Sequence, residues 1–252
     1  MILETTETGK IRDKINEFAA KGSPFFFAVN YELSEGIFAD DPLKQEAIYF
    51  SFNQQGNKPA ENIYDRRGRI NSVAQDPESY KAKFNTVREA LDRGAVKVVN
   101  LTMRTRIEPD ISCEEIFLRS NSPYQVYLPG RFVCFSPERF VHISDKGVIS
   151  TNPMKGTIDA SVPNAELQIL NDPKEIAEHS ATVGLIADEF KSIASNVHIT
   201  RFRYIDRIVS QDRTLLQVSS EVVGQLDKDY TSRMGDILFS LLPAGSVTGT
   251  PR

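Results

Sequence analysis

The chain has 252 residues, of which 40% are hydrophobic and 25% charged, as in ordinary globular proteins with one large domain or two small ones. A net charge of −4, from 34 acidic and 30 basic residues, argues against nucleic acid or an anionic membrane as the main partner. Two cysteines are too few for a disulfide framework. The charged N-terminus and the short apolar runs predict neither a signal peptide nor a membrane helix, so we expect a cytoplasmic protein.

The first predicted elements are helices and strands in mixed order. Hydrophobic residues at helical spacing predict amphipathic helices over residues 10–20 and 80–93, and Gly94 ends the second helix. Runs of aromatic and β-branched residues predict strands at 25–31, 47–52 and 96–102. Cys134 lies in an apolar run and is predicted to be a small buried residue.

The rest of the chain is dominated by predicted hairpins. The strand pairs are 124–128 with 132–135, 140–143 with 148–151, and 203–209 with 215–223, each about a short turn. A long helix is predicted from near Asp172 to beyond Phe190, and a short one over 234–242. Strands in runs, rather than in strict alternation with helices, predict an α+β fold.

Four segments carry short motifs that resemble those of one enzyme family. They are 94–102, which ends in Val-Asn-Leu-Thr; 136–140 (Ser-Pro-Glu-Arg-Phe) with 153–157 (Pro-Met-Lys-Gly-Thr); 174–179 (Lys-Glu-Ile-Ala-Glu-His); and 243–252 (Pro-Ala-Gly-Ser-Val-Thr-Gly-Thr-Pro-Arg). The order of these motifs along most of the chain resembles their order in the chorismate-binding enzymes. The resemblance implies a single α+β domain over residues 1–252, with two antiparallel sheets stacked face to face and helices outside.

Lys155 separates the branches of this family. By resemblance, aminodeoxychorismate synthases carry lysine at this position, where anthranilate synthases carry alanine. The resemblance implies that Lys155 attacks ring carbon 2 of chorismate while the hydroxyl leaves carbon 4, and that ammonia then enters at carbon 4 and displaces the lysine. The attacking group must be the unprotonated amine. The alternative is a solvated lysine in a loop.

The neighbours of Lys155 are expected to contact the substrate. The resemblance implies that main-chain groups of Gly156 and Thr157 do so, and glycine permits a close approach of ligand to backbone. The alternative is a plain turn.

Glu138 and His179 are the further catalytic candidates. The resemblance implies that Glu138 is the general acid for the leaving hydroxyl, which requires a protonated carboxyl group. Its alternative is a strand-end glutamate that pairs with Arg139 or faces solvent. His179 resembles the family histidine near the reacting end of the ring.

Glu175 and Glu178 are the predicted metal ligands. They are three residues apart on the predicted helix, so both carboxylates face one way, with His179 on the same side. Two carboxylates suit Mg²⁺, and the resemblance implies that this ion holds the ring carboxylate of the substrate. Because Asp172 and Pro173 form a good helix start, Glu175 is alternatively only a capping-box residue.

Small residues near the C-terminal end predict an anion-binding loop. Its substrate-binding candidates are Gly245, Ser246, Thr248 and Gly249, whose main-chain N–H groups are suited to holding a carboxylate. The alternative is a loop that closes a helix. In water-using relatives a lysine base lies in the 96–102 strand, but that position falls on Val98 here, so Lys97 is interpreted as an ordinary strand residue.

The sequence also departs from the family. Arg252 ends the fourth motif, and relatives continue through a helix and strands that complete the substrate and metal sites, so we expect a C-terminally truncated domain. The histidine often found before Val-Ser is Gln217, and the usual Asp-Leu-x-Arg-Asn-Asp stretch is replaced over 184–189.

The resemblance therefore implies an Mg²⁺-dependent aminodeoxychorismate synthase in p-aminobenzoate and folate biosynthesis. Its expected partners are chorismate and a separate glutamine amidotransferase subunit that supplies ammonia. Anthranilate or isochorismate synthase activity and a non-catalytic truncated homologue remain the alternatives.

Overall fold

A computed structural model describes residues 4–60, 68–96, 98–136, 138–209 and 213–250. Two predictions fall outside the described residues. One is that Lys97 is an ordinary strand residue, and the other is the turn around Gln211 and Asp212.

The elements follow one another as a mixture of helices and strands. The first are β1 (Thr6–Glu7), α1 (Thr8–Ala20), β2 (Phe25–Val29), β3 (Glu35–Asp40), β4 (Tyr49–Phe52), β5 (Gln55–Gly56), β6 (Ile70–Ser72), α2 (Pro77–Asp92), β7 (Val98–Val99), β8 (Ile107–Pro109), α3 (Cys113–Arg119), β9 (Tyr124–Leu128) and β10 (Phe132–Ser136). They continue with β11 (His142–Ile143), β12 (Val148–Thr151), β13 (Met154–Asp159), α4 (Ala165–Asn171), α5 (Pro173–Lys191), β14 (Ser195–Val209), β15 (Thr214–Gln225), α6 (Met234–Ser240), α7 (Gly245–Thr248) and β16 (Gly249–Thr250). All strand pairs in the described part of the chain are antiparallel, which confirms the α+β class.

The chain divides into two compact units. The first comprises Met1–Ile11, Ser23–Ser136 and Val247–Arg252, and the second comprises Arg12–Gly22 and Pro137–Ser246. The single domain expected over residues 1–252 stays a prediction.

The first unit contains two larger sheets and two strand pairs. The sheets have the strand orders β1-β3-β2 and β10-β9-β4-β5, and the pairs are β6 with β8 and β7 with β16. Its core contains Phe26, Ile37, Ala39, Ile48, Phe50 and Leu128. These residues are buried because each strand presents alternate side chains to one side.

The second unit is built around β15. One edge of β15 pairs first with β13 and then with β12, while β14 pairs along the other edge. Helix α5 buries Val183, Ile186 and Phe190, which are spaced to form one helical stripe, against a core that includes Ile149 and Val222. The sheet and this stripe position the candidate site.

Most of the predicted elements are confirmed, including all three hairpins, but the strand over 96–102 and the burial of Cys134 are not. Within the strand predicted over 96–102, Val98 and Val99 are the described residues that pair, and they form the short strand β7. Cys134 is exposed rather than buried, since β10 is the edge strand of its sheet.

Two features of the described helices concern their exposure and their hydrophobic length. Helix α2 has none of its residues buried, and its apolar Tyr80 and Phe84 are 45% and 44% exposed. No described helix is both long enough and apolar enough to cross a bilayer.

Candidate active site

Lys155 lies on strand β13, in a segment for which the sequence indicated no secondary structure. The pairing of β13 with β15 is regular at Met154 and again from Thr157, but its register shifts between them. Lys155 and Gly156 therefore form a β-bulge, and Lys155 is partly buried. Bulges change the direction of a side chain and are common next to active sites.

Gln217 on β15 closes this bulge from the opposite strand. Its Nε2 donates a hydrogen bond to the carbonyl oxygen of Gly156 at 2.9 Å, and its Oε1 accepts one from the Thr157 hydroxyl at 2.5 Å. The Gly156 carbonyl therefore already accepts one side-chain hydrogen bond. The sequence singled out Gln217 only as a departure from the family histidine, and this pair of contacts appears only when β13 and β15 are paired.

Glu175 reaches the same bulge from helix α5. Asp172 caps the helix by accepting hydrogen bonds from the main-chain N–H groups of Lys174 (2.8 Å) and Glu175 (3.1 Å). The Glu175 carboxylate lies against Gly156, because Oε2 is 2.7 Å from the position that a Cβ atom on Gly156 would occupy. Gly156 also has a φ of +88°, a conformation that favours glycine. The carboxylate thus lies over the bulge.

His179 is fully buried, one turn after Glu175 on the sheet-facing stripe of α5. Its Nε2 lies 2.6 Å from the Ser220 hydroxyl, and its ring packs edge-on against Phe202. Burial lowers the pKa of His179 below its usual value near 6.5.

Charged groups near the His179 ring also act on its pKa. The backbone of Lys155 opposes the decrease, and the positive charges of Arg203 and Lys155 add to it. In the described part of the chain Nδ1 of His179 has no hydrogen-bond partner, so the Lys155 backbone is a neighbour of the ring and not a hydrogen-bond acceptor. The predicted nucleophile and the predicted histidine therefore lie close together.

Arg203 is a member of this cluster that the sequence did not indicate. Its guanidinium donates hydrogen bonds to three main-chain carbonyls, those of Ile169, Leu170 and Glu175, at 3.0–3.2 Å. Its main-chain N–H donates to the Ser220 hydroxyl at 2.9 Å. Arg203 thereby joins the end of α4 and the start of α5 to the sheet. In the sequence it is one of several arginines in an exposed strand, so no local pattern distinguishes it.

Glu178 is placed differently from Glu175. It is 54% exposed and lies 3.6 Å from the ammonium of Lys174, so only Glu175 is directed to the bulge. Among the described residues, no three His, Cys, Asp or Glu side chains converge on one point. The two carboxylates therefore do not face one way, as the helical spacing had predicted. Mg²⁺ commonly takes one or two carboxylates and completes its shell with water and substrate oxygens, so Glu175 alone is compatible with Mg²⁺, which stays a prediction together with the Glu178 ligand.

Glu138 is partly buried in the second unit, directly after Pro137, which lies outside the described residues. Its role as general acid therefore rests on the family resemblance.

The predicted loop over 245–249 is wrong. Residues Gly245–Thr248 form the short helix α7, and Gly249 begins β16, which pairs with β7 in the first unit. Gly245 lies against the Glu189 carboxylate, 2.7 Å from the position of an added Cβ. The side chain of Ser246 lies outside the described part, and anion binding by Gly245, Ser246, Thr248 and Gly249 stays a prediction.

A cavity of about 530 Å³ lies elsewhere in the second unit, between the end of α5 and α6. Its lining includes Lys191, Arg233 and Asp236, which all take part in ion pairs, and it contains none of the predicted site residues. Because Glu175 lies against Gly156 and the buried His179 ring has Lys155 as a neighbour, the candidate site lies at the bulge.

Comparisons with known proteins identify the family. The chorismate binding enzyme family matches residues 14–252. An uncharacterized PabA-like protein of Haemophilus influenzae is 38% identical over 95% of this chain and 73% of its own length. Aminodeoxychorismate synthase component 1 of Escherichia coli is 26% identical over 69% of this chain, which spans 40% of that protein.

Solved structures show the same fold. The crystal structure of a 2,3-dihydroxybenzoate-specific isochorismate synthase, DhbC, from Bacillus anthracis superposes with a TM-score of 0.65 at 16% identity, covering all of this chain and 70% of that one. The extent of the family match and the identity to the Haemophilus protein decide the assignment. The chain belongs to the chorismate-binding enzyme family.

Proposed function

We propose that this protein is an aminodeoxychorismate synthase that converts chorismate and ammonia to 4-amino-4-deoxychorismate. The observation that carries the proposal is the position of Lys155 on a β-bulge beside Gly156, Glu175 and His179. A lysine held by a strand, with its side chain partly buried, is suited to act as a nucleophile rather than as a solvated surface charge.

The proposed reaction proceeds by two displacements. The unprotonated Lys155 amine forms a bond to ring carbon 2, both conjugated ring double bonds shift, and the carbon 4 hydroxyl leaves as water after Glu138 gives it a proton. Ammonia then bonds to carbon 4, both double bonds shift back, the bond from Lys155 to carbon 2 breaks, and the new amino group returns a proton to Glu138. The amine of Lys155 is thereby regenerated.

Other groups at the bulge bind and orient the substrate. Glu175 would hold Mg²⁺ at the bulge, Glu178 would add a ligand by leaving Lys174, and the ion would supply positive charge for the ring carboxylate. We infer from the family resemblance that main-chain groups of Gly156 and Thr157 contact the substrate, while the Gly156 carbonyl accepts a hydrogen bond from Gln217. Ammonia would come from a separate glutamine amidotransferase subunit.

The first experiment measures chorismate turnover with Mg²⁺ and an ammonium salt and identifies the products by chromatography. It uses the whole reading frame that contains these 252 residues. Aminodeoxychorismate as the product supports the proposal. Anthranilate or isochorismate as the product, or the absence of both turnover and chorismate binding, would overturn it.

Lys155→Ala tests the nucleophile. We expect turnover to fall at least about 10²-fold, because the variant removes the group that forms the covalent bond. Lys228→Ala, at an exposed lysine of the same unit, is the control and should keep wild-type turnover. Full aminodeoxychorismate synthesis by Lys155→Ala would contradict the assignment of Lys155.

A further inference from the structure

Gln217 faces the bulge at Lys155 and Gly156 from the neighbouring strand. The register pairs Gln217 with Thr157, the first residue that resumes regular pairing after the shift. The side chain of Gln217 therefore stands opposite the end of the bulge, on the strand that does not change register. A bulge leaves its extra residue outside the ladder of main-chain hydrogen bonds, so its conformation needs other contacts to define it.

The amide of Gln217 satisfies two different partners in one orientation. The Gly156 carbonyl can only accept, so Nε2 must face it, and Oε1 is then left to accept from the Thr157 hydroxyl. Both ends of the amide are thus engaged with adjacent residues of β13. This arrangement holds the peptide group between Gly156 and Thr157 in a fixed direction.

The peptide group needs this support because Gly156 has wide conformational freedom. Its φ of +88° lies in a region that glycine enters and leaves readily, and its other neighbour, the Glu175 carboxylate, is the end of a flexible side chain. Without the Gln217 amide, the Gly156 carbonyl would lose its side-chain donor. The direction of the Lys155 side chain depends on the backbone at this point.

We propose that Gln217 is a positioning residue for Lys155: its amide fixes the β13 bulge and thereby the direction of the lysine side chain. This inference rests on the proposed function. It goes beyond that function in assigning a role to a residue of β15 that has no part in the chemical steps.

The variants separate the two hydrogen bonds. Gln217→Ala removes both, whereas Gln217→Glu keeps an acceptor for Thr157 and loses the donor to Gly156. Gln225→Ala is the matched control, because Gln225 lies on the same strand and its amide also donates to a main-chain carbonyl, that of Lys146, at 3.0 Å. If Gln217 only stabilised the fold, Gln217→Ala and Gln225→Ala would change kcat to a similar extent.

We expect Gln217→Ala and Gln217→Glu to lower kcat roughly 10- to 100-fold while the KM for chorismate changes less than about threefold, as misplacement of a reacting group affects the chemical step. Gln225→Ala should keep the wild-type kcat. An unchanged kcat in Gln217→Ala, or an equal loss in Gln225→Ala, would overturn the inference.

A second readout does not depend on turnover. The rate at which an amine-selective acylating reagent modifies Lys155, followed by mass spectrometry of its peptide, should change at least about threefold in Gln217→Ala and not in Gln225→Ala, since only the first alters the position of the amine. If the wild type does not turn over chorismate, the proposed function fails and this rate decides the inference. An unchanged rate in Gln217→Ala would then overturn the positioning role as well.

Discussion

Gly156 on strand β13 is in contact with the Glu175 side chain of helix α5. The absence of a side chain allows the Glu175 carboxylate to lie over the main chain, and its φ of +88° places it where other residues are strained. Both properties follow because glycine has a hydrogen atom where every other residue has a Cβ atom. Gly156 therefore allows Glu175, the predicted metal ligand, to lie next to the segment that carries Lys155.

Gly156→Ala is expected to move Glu175 without unfolding the protein. The positive φ should cost about 1–2 kcal/mol of unfolding free energy, and the carboxylate, as the end of a flexible chain, should shift away. Gly22→Ala is the control, since Gly22 has a φ of +64° and open space around the added Cβ. Urea unfolding should show similar losses for both variants. Only Gly156→Ala should raise the Mg²⁺ concentration for half-maximal turnover, and an unchanged Mg²⁺ dependence would contradict the placement of Glu175.

His179 makes the stability of the protein depend on pH. Because burial lowers its pKa in the folded state, the unfolded chain binds a proton first as the pH falls through about 6.5. The free energy of unfolding should therefore fall below this pH, with a slope of at most about 1.4 kcal/mol per pH unit from this group. Above pH 7 its contribution is constant, since the histidine is neutral in both states.

Denaturant unfolding between pH 5 and 8 measures this slope. His179→Gln retains a polar group that can contact the Ser220 hydroxyl but does not titrate, so we expect a flatter dependence. His198→Gln replaces an exposed histidine on β14 and should keep the wild-type slope. A His179→Gln variant with the same slope as wild type would show that the histidine does not carry this dependence.

Helix α5 presents its first two turns to the site, so the way it begins matters. Asp172 caps it, Pro173 occupies its first turn, and Arg203 holds the carbonyl of Glu175 from the sheet. The strand β13 is the second element of the site. Its bulge and its partner β15 decide that Lys155 belongs to a sheet, although the sequence around it reads as a turn.

Asp172→Ala should lower the free energy of unfolding by about 1 kcal/mol, because the main-chain N–H groups of Lys174 and Glu175 lose their acceptor. Amide hydrogen exchange should be faster in the first turn of α5. Asp172→Asn keeps an acceptor at the same place and should remain close to wild type. Equal losses in both variants would indicate that the charge of Asp172, rather than its capping contact, stabilises the helix.

At the scale of the molecule, each of the two units has its own apolar core. The first is formed by aromatic and aliphatic residues of β2, β3, β4 and β9, and the second by α5 and the sheet around β15. Lys155, Glu175, His179 and Gln217 belong to the second unit, so these residues of the candidate site come from one unit. The long pairing of β14 with β15 gives that unit its rigid frame.

Local patterns in the sequence determined the helices α1, α2 and α5, the three hairpins and the family to which the chain belongs. Helical spacing, capping residues and turn residues act over a few neighbours, so they can be recognised without the fold. The motifs also identified Lys155 and Glu175, because their residue types and order resemble those of the family.

Tertiary structure alone decided the rest. The bulge at Lys155 and Gly156 exists because β13 must match β15, and Gln217 is 60 residues away from its Thr157 partner. Arg203 joins α4 and α5 to the sheet through main-chain carbonyls, which every residue has and no sequence pattern distinguishes. Contacts between distant segments are set by packing and register, and these arise only when the chain has folded.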